Sequence, residues 1–410
     1  MNSGPAAPKT LRHRIMTPLR DLIIDSRATG IFLLGCTVIS IVITNSSSGW
    51  YSRLWNGKLP GMMPMHLPTS PLAWINNFLM AFFFVLAATE IKRELLAGEL
   101  STFKKAILPF GAAFGGMLVP AIIFTVFNFH TVYSHGWGIP TATDIAFSLA
   151  AASLLGKRFP VGLKILLMAL AIIDDLGAII VIAVFYGGQI HWIFLLASVV
   201  LFVALLGCNR LKVKFGWLHL VLGAGLWYFM LQSGVEASIT GVLFAFALPV
   251  DALALIEKAI HKYVNFLILP LFALSNTAML IPSNLIQSLN TTVAMGVIFG
   301  LVIGKPLGIY LISRLMVGLN IAHLPANVRW RQVLGMGMLA GIGFTMSIFT
   351  TMLAFKETRF RDTAKISILV SVLASVIVSY LYFAIISRAP AMAPVRSLAE
   401  PSPEAHLELS

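Results

Sequence analysis

Four charges sit where a chain this apolar should carry none. Asp174 and Asp175 are neighbours in "ALAIIDDLGAII" (169–180), whose other ten residues are apolar or glycine. Asp144 lies in "HGWGIPTATDIAFS" and Lys305 in "LVIGKPLGIY". Burying a lone carboxylate is costly, and two adjacent ones repel each other. On a helix the pair would point ~100° apart. Protons relieve the repulsion, and so do hard cations, which prefer oxygen ligands. A packing bridge from Lys305 to one aspartate would leave two carboxylates without a cation. A cation site that these carboxylates share in turn with protons accounts for the surplus.

Such residues need elements that hold them inside a membrane. The chain has 410 residues, 58% hydrophobic and only 11% charged, against about 25% charged in soluble domains. The deficit predicts an all-α polytopic membrane protein. A net charge of +13 could suggest nucleic acid, but the basic residues stand between apolar segments and form no single basic motif. Cys36 and Cys208 lie in or beside apolar segments and suggest neither a disulfide framework nor a metal site. Windows of about 20 residues, the length that spans a bilayer core, give about twelve transmembrane helices. They lie near 29–47, 71–91, 106–128, 137–156, 161–186, 191–207, 216–232, 235–250, 264–282, 292–313, 332–355 and 364–387. Asp174 is ten residues past Lys164, which puts it roughly 15 Å along its helix, near the midplane. Lys305, about nine residues from Arg314, is roughly 13 Å deep by the same rise.

Basic loops alternate with loops that have no Lys or Arg, which predicts both termini on the cytoplasmic side. One connection dissents: Lys356, Arg359, Arg361 and Lys365 flank a turn that should face outward. Residues 1–28 read as a cytoplasmic N-terminus with an amphipathic helix along the membrane surface. Residues 29–388 read as the transport domain, with a core at 106–186 and 292–387, and the Pro- and Ala-rich stretch 389–410 as a disordered cytoplasmic tail.

Two spans should be interrupted. Pro140 stands four residues before Asp144, with Thr141 and Thr143 between them, and proline removes a helix hydrogen bond. Late in the chain "GMGMLAGIGFTMSIFT" carries Gly335, Gly337, Gly341 and Gly343. Paired interruptions in two halves point to a transporter's midplane site, where half-helix ends aim partial charges inward. Asp144 and Lys305 are placed to neutralise such ends.

"GIPTATDIAFSLA", "LKILLMALAIIDDLGAIIVIAVFY", "GKPLGI" and "GIGFTMSIF" resemble, in that order, the bacterial NhaA-type sodium/proton antiporters. The family is itself a standard example of inverted repeats with broken, crossing helices. The likeness covers about residues 15–388 and implies a multi-pass protein of the bacterial inner membrane. It implies that Asp174 and Asp175 bind Na⁺ or Li⁺ and carry protons. It places Asp144 and Thr143 at the helix crossing, with Lys305 stabilising the site and pairing with Asp174. Glu90, Arg93 and Glu94 would form a cytoplasmic cluster tied to pH response, with Glu257 and His261 as its second part. The segment 49–70 would form a hairpin that pairs two protomers. No cofactor is implied beyond the transported ions, and no nucleotide-type Gly-rich loop occurs. Three residues depart from the family pattern. Asn77 replaces a common acid, and Glu236 and Lys258 replace histidines. The ion site is untouched by these, but the pH profile is not, and Glu236 joins the candidates for pH response.

Two rivals also use membrane carboxylates. Intramembrane aspartyl proteases need a Gly-x-Gly-Asp setting, which is absent here. A passive cation channel would dissipate a Na⁺ gradient without moving protons, so ion-flux measurements separate it from an antiporter.

Overall fold

The computed structural model describes residues 11–46, 49–60, 66–98 and 100–388. Among these residues the chain is helical and forms no strand. The tail at 389–410 and residues 1–10 lie outside them. In chain order the main helices are α1 (Leu11–Ser46), α2 (Pro71–Ala97), α3 (Phe103–Asn128), α4 (Ile145–Leu154), α5 (Val161–Phe185), α6 (Trp192–Arg210), α7 (Trp217–Ser233), α8 (Ala237–Ala247), α9 (Val250–Tyr263), α10 (Leu269–Asn276), α11 (Thr292–Gly318), α12 (Trp330–Ala340), α13 (Phe344–Ala354) and α14 (Thr358–Arg388).

Every apolar window falls on helix, but not every window is one rod. Among the described residues seven helices are long and apolar enough to cross a membrane: residues 28–46 of α1, then α2, α3, α5, α6, α11 and most of α14. An eighth span appears if α12 and α13, bent by 49° at their junction, count together. The window at 137–156 splits into a 3₁₀ segment, Ser134–Thr141, and the short α4. The window at 264–282 contains a π turn, Val264–Ile268, and α10. A second π turn, Gly300–Gly304, sits inside α11. Each of these two π turns ends two residues before a proline, Pro270 or Pro306, where the missing N–H and the ring disturb the i→i−4 ladder. From Leu11 onward the N-terminal segment joins the first span in one unbroken helix.

The core is built by close backbone approach. Helix α3 packs along α11, and a Cβ on Gly308 would stand 2.0 Å from the carbonyl oxygen of Gly115. Helix α5 packs on α3, and α12 and α13 pack against α14. Helices α6, α7 and α8 form a separate group that meets the rest through α2. In 49–70 the described parts are a helix, Trp50–Asn56, and two extended arms joined by Leu59 N–H donating to Thr69 O at 2.8 Å.

Local chemistry engages one residue of the basic connection that resists the charge rule. Arg361 donates from Nε to Phe355 O at 2.5 Å and from Nη2 to Met352 O at 3.2 Å. Its guanidinium thus caps the otherwise unsatisfied carbonyl end of α13. Lys365 is buried. One of the four basic residues therefore serves the fold directly.

Candidate ion-binding site

The two interrupted spans meet at their breaks and are stitched in both directions. Asp144 N–H donates to Ile342 O at 2.7 Å. Ser148 Oγ donates to Leu339 O at 2.9 Å, and Ser347 Oγ donates to Ile139 O at 2.7 Å. The last two bonds mirror each other: a serine just inside each half-helix serves a carbonyl before the other span's break. Such breaks leave orphan amides and carbonyls at depth, which must be satisfied within the protein.

Asp144 and Lys305 answer those orphan groups. Asp144 caps α4, with Oδ1 accepting from Phe147 N–H at 3.0 Å. Its Oδ2 accepts from Thr345 N–H at 3.1 Å and from Thr345 Oγ1 at 2.6 Å, at the start of α13. Both oxygens are therefore engaged at positive helix ends. Lys305 Nζ donates to Thr141 O at 2.5 Å, at the carbonyl end of the 3₁₀ segment.

The aspartate pair is divided. Asp174 Oδ2 lies 2.9 Å from Lys305 Nζ, and neither side chain is exposed. Thr143 Oγ1 lies 2.6 Å from the same Asp174 oxygen and 2.9 Å from Ala340 O, with one proton for the two acceptors. Asp175 is also buried, yet no hydrogen bond or ion pair holds it among the described residues, and its Oδ1 lacks any partner. Asp174 Oδ1 is likewise without one. An unsatisfied buried carboxylate oxygen is expensive and calls for a ligand or a proton.

A cavity of about 70 Å³ reaches these groups. Asp144, Asp175 and Thr345 line it together with Glu90, His261 and Asn265. One turn from Glu90, Arg93 Nη1 pairs with both oxygens of Glu257 at 2.7 and 2.6 Å. The structure thus brings Glu90 and His261 to the cavity and joins Arg93 to Glu257 beside it. It does not bring Glu236 or Asn77 there. Glu236 caps the turn that opens α8, accepting from Ser238 Oγ at 3.1 Å. Asn77 donates to Ala73 O at 2.8 Å, and its backbone carbonyl accepts from Trp227 Nε1 at 2.9 Å. Among the described residues no three His, Cys, Asp or Glu side chains are placed to share one metal ion. Sequence reasoning overlooked Thr345, Thr29 and Asn265. The signal for Asn265 was an amide inside the apolar run "VNFLILPLF".

A polytopic helical bundle with charges stitched into two crossed, broken spans defines the class of broken-helix membrane transporters. The chain belongs to the family described as Na+/H+ antiporter 1, whose model matches residues 20–383. It is 47% identical over 87% of its length to 93% of a Na(+)/H(+) antiporter NhaA of Flavobacterium psychrophilum. A Na(+)/H(+) antiporter NhaA 1 of Clostridium beijerinckii is 44% identical over 88% of this chain and 93% of its own. A Na(+)/H(+) antiporter NhaA of Cytophaga hutchinsonii is 42% identical over 90% of this chain and 96% of its own.

Proposed function

We propose that the protein is a secondary active antiporter of the bacterial inner membrane, exporting Na⁺ or Li⁺ from the cytoplasm in exchange for protons. The observation that carries this reading is Asp175. It is buried, unpaired and open to the cavity, beside Asp174, whose charge Lys305 balances.

Deprotonated Asp175 offers oxygen to a hard cation arriving through the cavity. Asp174 supplies a second carboxylate. Lys305 has an alternative acceptor in Thr141 O, so Asp174 can turn toward an ion without stranding the ammonium. Protons and the cation compete for the same oxygens, and that competition couples the two fluxes without a nucleotide. Asp144 and Thr143 hold the crossing, which the core at 106–186 and 292–387 carries between inward- and outward-facing states. Moving more than one proton per Na⁺ makes exchange electrogenic, with ~2.3 kcal/mol per charge per 100 mV as the driving term. The face bearing Arg93 and Glu257 is cytoplasmic in this reading, as are both termini. The pH response lies with Glu90, Arg93, Glu94, Glu236, Glu257 and His261, and a homodimer forms through 49–70.

Reconstitution in acid-inside liposomes tests it. External Na⁺ or Li⁺ should drive proton efflux, and Asp174→Asn and Asp175→Asn should each abolish it. Wild-type efflux in both variants would overturn the assignment, and Na⁺ flux without proton movement would indicate a channel.

A further inference from the structure

The cavity holds more oxygen than the aspartate pair accounts for. Thr29, on α1, lines it and is fully buried, and its hydroxyl has no partner among the described residues. A helical threonine normally bonds back to the carbonyl one turn earlier. Thr37 does so at 2.9 Å, Thr44 at 2.7 Å and Thr89 at 2.7 Å in this same chain. Thr29 does not, and a buried hydroxyl left bare is destabilising.

Asn265 lines the same cavity, and its Nδ2 lies 3.1 Å from His261 Nε2. With the ring proton on Nδ1, the ring nitrogen accepts from the amide N–H. In that arrangement no protein donor engages the amide's carbonyl oxygen among the described residues. Glu90 completes the group. It lines the cavity, and no ion pair to it exists among the described residues, because Arg93, the nearest guanidinium on its helix, is committed to both oxygens of Glu257.

We propose that the Glu90 carboxylate, the Thr29 hydroxyl and the Asn265 carbonyl form a second, outer cation site, a staging point between the Arg93–Glu257 face and Asp175. Three different oxygen donors with a single negative charge suit a hard monovalent cation. A cavity of about 70 Å³ leaves room for an ion that keeps part of its hydration, since about 10–15 Å³ of such space is enough to hold a water. The ion would exchange some of its waters here before reaching the more confined pair. The cation's identity as Na⁺ or Li⁺ rests on the antiport reading; the site itself does not.

The test is equilibrium binding of ²²Na⁺ to the purified full chain, with choline as balancing cation. The double variant Asp174→Asn/Asp175→Asn, which removes the inner pair, should retain saturable binding. Adding Asn265→Leu and Thr29→Val should weaken that binding at least five-fold, whereas adding Asn265→Asp, which keeps an oxygen and adds charge, should strengthen it. Transport gives a second measurement that needs no inner-site variant. In proteoliposomes Asn265→Leu should raise the KM for Na⁺ several-fold, and more than it lowers kcat. Absence of saturable binding in the double variant, together with an unchanged KM in Asn265→Leu, would overturn the outer site. Transport persisting in Asp174→Asn/Asp175→Asn would instead overturn the antiport reading and leave the outer site standing.

Discussion

Lys305 is the residue whose two bonds tie the site to the fold. It joins Asp174 at 2.9 Å and the carbonyl of Thr141 at 2.5 Å, in a fully buried setting. Removing one member of a buried ion pair leaves the other uncompensated and costs about 3–5 kcal/mol. Lys305→Met should therefore lower the thermal unfolding temperature of the purified protein by several degrees. Pairing it with Asp174→Leu should recover much of the loss, since well-packed apolar replacements of buried ion pairs are often tolerated. If Lys305→Met melts like wild type, the bridge is not a structural tie. At this scale the sequence was most informative about which residues are anomalous and least informative about their bonds. Asp144, Asp174, Asp175 and Lys305 stand out because they are charged within apolar runs. Their division of labour does not stand out, because it depends on partners far along the chain. Asp144 reaches Thr345 across 201 positions. Asp144 has both oxygens occupied by helix amides and a hydroxyl, whereas Asp175 has none.

The broken and bulged helices are the elements that place these residues. Pro140 and the glycines at 341 and 343 mark the breaks from sequence alone. The π turns at Val264–Ile268 and Gly300–Gly304 do not announce themselves, since apolar periodicity over five residues is nearly blind to one extra residue per turn. Yet the second of them immediately precedes Lys305 and sets its angular position on α11. Close contact between α3 and α11 holds that helix in place. Gly308→Ala would push a methyl into the Gly115 carbonyl at 2.0 Å, where only backbone can give way. Overpacking of this kind typically costs about 1–3 kcal/mol. The variant should be less stable by that amount in thermal unfolding, with Gly318→Ala, where a Cβ would meet nothing within 4 Å, as the control. Alanine is the better helix former, so the control should be neutral or slightly stabilised, and the same result for Gly308→Ala would mean that the close approach does not limit packing.

Taken whole, the molecule was readable as a polytopic helical bundle, because length and apolarity over 20 residues are local properties of the chain. Its assembly was less so. In the basic connection around 356–365, which departs from the alternation of charge, Arg361 is drawn to the carbonyls of α13. Lys92 is likewise drawn to carbonyls: its ammonium donates to Phe246 O at 2.8 Å and Leu248 O at 2.5 Å and caps α8. Glu90, His261 and Asn265 come from two distant segments, and only the packing of α9 on α2 gathers them around one cavity. The central claim is that Na⁺ and protons contest the same carboxylates within this framework. It is tested most directly by mixing Na⁺ with the purified protein in weakly buffered detergent solution at mildly acid pH and following the solution pH. Competition requires Na⁺ to displace protons, so the solution should acidify saturably with Na⁺, and Asp175→Asn should remove most of the response. Saturable Na⁺ binding with no proton release in the wild-type protein, at any pH where both ligands bind, would contradict it.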